Sequence, residues 1–287
     1  MSYRSVFAPN LFQGQVVIIT GGGSGIGRCT AHELAALGAK VVLVGRDAKK
    51  LEGVRREIES DGGVCDSEAF DIREEPNVQA AIANILRRCG RIDGLVNNAG
   101  GQFASPAAAI GAKGFDAVVR TNLTGGFLMA RECFTQWMGE HGGAIVNIVA
   151  DMWNGMPGMA HSGAARAGMV NLTETTASEW GAFNVRVNAV APGWVASSGL
   201  DRYPPEMRGI VRGLKDNVPL GRLATEAEIS AAIVFLLSPA AAFISGTTLR
   251  VDGAAPNFKS HWPRMERRTP APVFDGFHRS VTPEVLK

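Results

Sequence analysis

The sequence predicts an α/β fold: a doubly wound parallel sheet of about seven strands with helices on both faces. Three observations carry that expectation. Short β-branched runs alternate with longer helical patterns along most of the chain. Most of the runs are continuous in apolar residues rather than alternating, as in strands covered on both faces. A glycine-rich loop, Thr20-Gly21-Gly22-Gly23-Ser24-Gly25-Ile26-Gly27, joins the first strand to the first helix.

Each element follows in order. Val16–Ile19 is the first strand, and Arg28–Leu37 continues the helix that the loop opens. Val41–Val44 is the second strand, with Asp47 placed to cap the helix over Ala48–Ile58. Val64–Phe70 is the third strand and Val78–Arg88 the next helix. Leu95-Val96 is the fourth strand, followed by a long helical pattern over Phe115–Trp137. Ala144–Val149 and Arg186–Val190 are the fifth and sixth strands, separated by a helix over Ala164–Trp180. Glu226–Leu237 is the last helix and Thr248–Val251 the seventh strand. The irregular stretch Ser197–Pro219, with Tyr203-Pro204-Pro205, has the length of a substrate lid.

A chain of 287 residues, 46% hydrophobic and 20% charged, is not a mostly disordered one. Residues 1–253 read as one domain. Beyond Gly253 the composition shifts: 254–287 hold 5 of the 14 prolines and six basic against three acidic residues. That segment reads as an extended basic C-terminal tail. Its Lys259, Arg264, Arg267 and Arg268 either meet the phosphates of a substrate or only keep the tail solvated. The net charge of +2 leaves no electrostatic footprint for nucleic acid or anionic membrane. Cys29, Cys65, Cys89 and Cys133 form no C-x-x-C pair, so neither a zinc knuckle nor a redox motif is encoded, and no metal site is expected. The longest apolar run, Ala231–Leu237, is far short of the roughly 20 residues of a membrane span. No secretory h-region opens the chain, and Val285-Leu286-Lys287 is no peroxisomal signal, so the cytoplasm is the expected location.

The glycine loop points to a dinucleotide. Small residues let the backbone turn sharply beside a pyrophosphate, which a helix N-terminus then stabilises. Gly21, Gly23, Ser24, Gly25, Ile26 and Gly27 are the candidate contacts. The second strand ends Val44-Gly45-Arg46. A carboxylate there would select a ribose 2′-hydroxyl; Gly45 stands in its place, and the Arg46 guanidinium suits a 2′-phosphate. NADP(H) is therefore the expected cofactor.

Four segments, in strand context, resemble the short-chain dehydrogenase/reductase family: Thr20–Gly27, Asn97-Asn98-Ala99-Gly100, Thr121-Asn122-Leu123 and Pro192-Gly193. The resemblance spans about residues 14–253 and implies a Rossmann-type fold and a homotetramer. It also implies that Asp71 and Ile72 flank the adenine and that Asn98, Ala99 and Gly100 line the cofactor. Pro192, Gly193, Val195 and Ser197 would hold the nicotinamide end.

That family commonly works through a Tyr-x-x-x-Lys pair. Here the matching segment is His161-Ser162-Gly163-Ala164-Ala165-Arg166, so His161 replaces the tyrosine and Ala165 the lysine, while Ala150 takes the usual serine position. The only tyrosines, Tyr3 and Tyr203, lie in no such motif. A narrower resemblance, over Tyr3–Gln15, Gly100–Pro106, Trp137–Gly143 and His161–Gly168, is to peroxisomal-type trans-2-enoyl-CoA reductases and the related 2,4-dienoyl-CoA reductases. It implies NADPH-dependent reduction of the 2,3-double bond of an enoyl-CoA thioester by hydride transfer to Cβ. The tyrosine and lysine that the peroxisomal type carries further along this helix are Val170 and Glu174 here, and the dienoyl type's oxyanion tyrosine falls at Ala150.

Reduction of an enoyl thioester leaves an enolate, which needs hydrogen-bond donors at its oxygen. Asn122 and His161 are the candidate catalytic donors. A core amide and a structural histidine are the alternative roles for the two. Asp151, after the fifth strand, is an acid/base candidate or a cap. Arg166 reads as structural or phosphate-binding, because adjacent helical residues are turned about 100° apart. Met152, Trp153, Met156 and Met159 line an acyl channel or are core. A carbonyl reductase with His161 as acid/base and a non-catalytic NADPH-binding protein remain open beside the acyl-CoA reading.

Overall fold

All seven expected runs become strands of one sheet, seen in a computed structural model that describes residues 2–257 and 269–287. The strands are β1 (Val16–Thr20), β2 (Lys40–Gly45), β3 (Val64–Ala69), β4 (Gly94–Asn97), β5 (Gly143–Ile148), β6 (Val185–Pro192) and β7 (Thr248–Val251). All pairings are parallel, in the order β3-β2-β1-β4-β5-β6-β7. The order reverses between β1 and β4, so a crevice opens beyond their carboxyl ends.

Alternate side chains of the same strand serve two cores. Val17, Ile19, Val41 and Leu43 face α1 (Gly25–Ala36), α2 (Ala48–Ser60) and, further along the sheet, α9 (Glu226–Leu237). Ile18, Val42, Leu95 and Ile145 face the opposite way, onto α3 (Glu75–Cys89) and α5 (Gly125–Cys133). Asp47 caps α2 as expected, accepting from the backbone N–H of Lys49 and Lys50 at 3.1 and 3.2 Å.

The long helix expected over Phe115–Trp137 starts earlier and is not regular. α4 (Ala112–Val119) passes through a π turn, Arg120–Thr124, into α5; a second π turn, Phe134–Met138, leads to α6 (Gly139–His141). π turns are rare and cluster at functional sites; the first one contains Asn122. A long α7 (Ala160–Trp180) follows β5. Between β6 and α9 lie three 3₁₀ turns and the short α8 (Arg208–Gly213), in the stretch expected as a lid.

Residues 269–287 lie against the body. The Phe277 ring is buried with Tyr3, Cys29 and Ala227. Arg279 makes a two-pronged ion pair with Asp61 at 2.7 and 2.9 Å. Val285 is buried with Leu200, Val211 and Leu214 of the lid stretch. Lys259, Arg264, Arg267 and Arg268 lie outside the described residues. No helix among the described residues is long and apolar enough to cross a membrane.

Candidate active site

The crevice between β1 and β4 is held by one hydroxyl. Thr20, at the end of β1, donates to Val96 O at 3.3 Å and accepts from the N–H of Asn98 (3.0 Å) and Ala99 (2.9 Å). The Asn98 amide donates to Thr20 O and Gly21 O at 3.0 and 3.3 Å. Two of the four predicted motifs are thus stitched together.

The glycines are needed for space. A Cβ on Gly27 would lie 2.5 Å from both Asn98 Nδ2 and Gly21 O, and one on Gly21 2.8 Å from Asn98 Nδ2. Gly21 also takes φ +67°, which disfavours a side chain. Ser24 precedes α1 without a side-chain cap, so the first-turn N–H groups of this 12-residue helix have no side-chain acceptor from it. This bare N-terminus, with no Cβ at Gly23 or Gly25, fits the pyrophosphate of a nicotinamide dinucleotide. Arg46 is exposed beyond β2. Asp71 is clamped by Arg73 through two contacts of 2.9 and 3.0 Å, which hold its carboxyl below the usual range. Ile72 is buried where a Cβ on Gly125 would strike it at 2.7 Å.

Beyond β6, Pro192 O accepts from Asp151 N at 3.1 Å. Gly193 runs so near Asp252 that a Cβ would lie 2.7 Å from its Cα. Val195 bridges Ala224, and Ser197 N turns back to Val195 O at 2.9 Å. Asp151 is thereby set beside the predicted nicotinamide contacts. Burial, then the nearby Asp252 carboxylate, pushes its carboxyl up, against the pull of Arg250, and its Oδ1 has no partner among the described residues.

Below the crevice a buried amide chain fixes the helices. Asn97 Nδ2 donates to Gly126 O (3.0 Å) and Asn147 Oδ1 (2.9 Å), and Asn147 Nδ2 donates to Thr173 Oγ1 (2.9 Å). β4, β5, α5 and α7 are tied in one network.

The expected donors differ in character. Asn122 is 2% exposed and engaged at both ends with one residue: Gly101 N donates to its Oδ1 at 2.9 Å, and its Nδ2 donates to Gly101 O at 3.0 Å. It holds the loop after β4. His161 is fully buried at the start of α7. Its Nδ1 accepts from Ser162 N at 2.7 Å, so the neutral ring carries its hydrogen on Nε2, which has no partner among the described residues. The Phe103 ring covers it edge-on, with centroids 4.4 Å apart.

Arg166 is the group that the sequence reading underrated. Its guanidinium is buried and donates through one arm to Ile148 O at 2.5 Å. Its other arm lies where a Cβ on Gly100 would approach to 2.5 Å. No carboxylate pairs with it among the described residues, and burial alone pushes its pKa down to about 10. The missing family lysine and the small residue at Gly100 were the available signals. A further chain links the lid: Ser162 Oγ donates to Gln102 Oε1 at 2.7 Å, and Gln102 Nε2 to the Tyr203 hydroxyl at 3.3 Å. The Met152–Met159 stretch divides. Met159 is buried, while Trp153 packs under Arg250 at 5.0 Å. A cavity of about 410 Å³ is an open groove between Phe127 of α5 and Leu172 of α7. It contains neither His161 nor Arg166 and is a helix surface, not the seat of this chemistry.

The family model described as enoyl-(acyl carrier protein) reductase matches residues 21–254. The peroxisomal 2,4-dienoyl-CoA reductase, (3E)-enoyl-CoA-producing, of Rattus norvegicus is 37% identical over 257 residues, 88% of this chain and 87% of its own. A probable 2,4-dienoyl-CoA reductase, (2E)-enoyl-CoA-producing, of Bacillus subtilis is 36% identical over 242 residues, 83% and 95% of the two chains. Among solved structures, the citronellol catabolism dehydrogenase AtuB of Pseudomonas aeruginosa PAO1 is 60% identical. It has a TM-score of 0.80 and covers 88% of this chain and 99% of that one. An NAD(P)-dependent gluconate 5-dehydrogenase from Beutenbergia cavernae, described as putative and with NADP bound at low occupancy, is 30% identical. Its TM-score is 0.81, with 88% and 100% covered.

Proposed function

The chain belongs to the short-chain dehydrogenase/reductase family, and we propose that within it the protein is an NADPH-dependent reductase of the 2,3-double bond of an enoyl-CoA thioester. The observation that carries this reading is a pair of buried groups with N–H donors left over among the described residues. The His161 Nε2–H and the Arg166 Nε–H find no partner there, and no carboxylate pairs with the guanidinium, whose one arm donates to Ile148 O. Such donors suit a substrate oxygen that becomes negative, and the Tyr-x-x-x-Lys pair that protonates a carbonyl oxygen is absent.

Gly21, Gly23, Ser24, Gly25, Ile26 and Gly27 would hold the pyrophosphate, Arg46 the 2′-phosphate, and Asp71 and Ile72 the adenine. Asn98, Ala99, Gly100, Pro192, Gly193, Val195 and Ser197 would line the remainder. When bound there, the dinucleotide supplies the hydride that goes to Cβ. The chain's own residues do the rest. Asn122 keeps the loop after β4 in place through Gly101. Phe103 moves off the His161 ring as the thioester enters, and the imidazole Nε2–H donates to the thioester oxygen. Arg166 stabilises the developing charge from behind; each such donor is worth about 3 kcal/mol. Asp151, whose carboxyl is pushed up by burial and then by Asp252, is the group placed to deliver the proton to Cα. The 60% identity to a protein of citronellol catabolism supports a methyl-branched acyl chain. A homotetramer in the cytoplasm completes the proposal.

One observation favours a second reading: that same protein is described as a dehydrogenase, which fits alcohol oxidation with His161 as the base. NADPH oxidation with short, long and methyl-branched trans-2-enoyl-CoA thioesters, against NADP⁺ reduction with the matching alcohols, separates the two. Turnover of a thioester that His161→Ala lowers at least 100-fold supports the reductase. Turnover of alcohols alone overturns it.

A further inference from the structure

A second polar cluster lies away from the crevice, where the C-terminal segment meets α1 and α2. His32 of α1 is 3% exposed and is flanked by two carboxylates. Its Nε2 is 3.2 Å from Glu57 Oε2, and its Nδ1 is 3.4 Å from Asp61 Oδ2. His278, from the C-terminal segment, brings its Nε2 to 2.9 Å from the same Asp61 oxygen. A buried neutral imidazole has one N–H for two carboxylates. Either tautomer therefore turns a nitrogen lone pair towards a carboxylate oxygen, a repulsive contact that a cation resolves.

We propose that the chain carries a divalent transition-metal site, suited to zinc, formed by His32 Nδ1, Asp61 Oδ2 and His278 Nε2. The three ligand atoms lie within 4.8 Å of one another. A tetrahedral zinc shell sets such ligands roughly 3.3 Å apart, and the His32–Asp61 and His278–Asp61 separations bracket that value. Two nitrogens and one oxygen, with room for a water, are a borderline-soft set that favours zinc over calcium or magnesium. An outer shell is in place for His32 and Asp61, while His278 Nδ1 has no partner among the described residues. Glu57 lies 3.2 Å from His32 Nε2 and would accept its N–H in the tautomer that turns the Nδ1 lone pair to the ion. Arg28 holds Glu57 at 2.8 Å, and Arg279 holds the Asp61 carboxylate at 2.7 Å. A cavity of about 180 Å³, lined by Tyr3, His32, Asp61 and Gly63 among others, gives an ion access and a place for the fourth ligand.

Arg28 and Arg279 already neutralise these carboxylates, so the site is expected to bind more weakly than a structural zinc finger does. The ion would fasten the C-terminal segment. The same segment goes on to the lid, where the N–H groups of Glu284 and Val285 donate to Asp201 and Arg212 donates to Val285 O. Metal at one end of the segment thereby steadies the lid contacts at the other.

The test uses the full chain, stripped with EDTA and exchanged into chelator-free buffer. Calorimetry with zinc chloride should give one ion per chain, and cobalt(II) should give the visible absorption of a tetrahedral site. His278→Ala, in a peripheral segment, should weaken zinc binding at least 30-fold and abolish the cobalt bands. Zinc should slow proteolysis of the C-terminal segment in the unmodified chain and not in the variant. If His278→Ala is poorly folded, Asp61→Asn is read the same way. The absence of a zinc isotherm, or variants that bind as the unmodified chain does, overturns the site.

Discussion

The turn after β1 and the start of α7 share one edge of the sheet, yet their polar atoms are treated in opposite ways. Thr20 and Asn98 find partners in each other, Val96, Ala99 and Gly21 through five hydrogen bonds of 2.9 to 3.3 Å. At His161 and Arg166 the pairing is incomplete: the imidazole Nε2 and the guanidinium Nε are buried without partners among the described residues. An unpaired buried polar group costs about 1–3 kcal/mol, so the second region holds free energy that a ligand can recover. The first region is a finished scaffold, the second an incomplete one.

The sharpest way to break that comparison is Arg166→Met. A buried cation without a counter-charge does little for folding, and replacing it with an apolar side chain of similar length is neutral or stabilising. Turnover of an enoyl thioester is expected to fall about 100-fold or more, while the melting temperature holds or rises. Steady-state kinetics beside a thermal melt reads both. A large loss of melting temperature with turnover intact would move Arg166 into the scaffold.

Gly27→Ala attacks the finished side. Its methyl group would meet Asn98 Nδ2 and Gly21 O at 2.5 Å. Overpacking against backbone costs about 1–3 kcal/mol, and the displaced loop should weaken NADPH binding roughly 30-fold. Titration of NADPH fluorescence measures this. Unchanged affinity would mean that the loop does not hold the pyrophosphate.

Glu226→Gln probes a flaw in the scaffold itself. Glu226 lies behind the loop, its Oε1 3.8 Å from where a Gly25 Cβ would sit, and burial raises its pKa to about 7. The folded chain holds this proton more tightly than the unfolded chain does. The stabilising contribution is therefore whole below the ordinary carboxyl pKa of about 4.5 and is lost as pH rises through about 7. The glutamine variant should be more stable at pH 8 by about 1–2 kcal/mol, discounted for partial exposure, and equal to the parent below pH 4.5. Urea denaturation at the two pH values distinguishes this from a pH-independent effect.

The smallest expected change is at Arg46, exposed at the rim. Arg46→Ala should lower the preference for NADPH over NADH about tenfold, ~1.4 kcal/mol, chiefly through NADPH. Equal losses for both cofactors would remove Arg46 from the 2′-phosphate.

The two regions also differ in how far they were legible. Most strands could be read because they are short apolar runs, and the Asp47 cap because its acceptor is local. The glycine loop was legible because close approach demands small residues in fixed order. The roles of Asn122 and Arg166 were not. Asn122 pairs with Gly101 through a π turn that no helical periodicity announces. Arg166 reads, from its angular offset from Ala165, as structural or phosphate-binding, whereas its long side chain reaches past that offset to Ile148 O and the gap left by Gly100. The docking of His278 and Arg279 onto Asp61 joins segments far apart in the chain, where composition suggested an extended basic tail.

The sequence by itself therefore determined the layered sheet, the position of the glycine-rich loop and the absence of a Tyr-x-x-x-Lys motif. These depend on local pattern: apolar period, turn chemistry and residue identity. Only the tertiary structure decided which polar atoms are left without partners, and so where a ligand has work to do. Satisfaction of a buried donor depends on every element packed around it, and no single stretch of sequence contains that information.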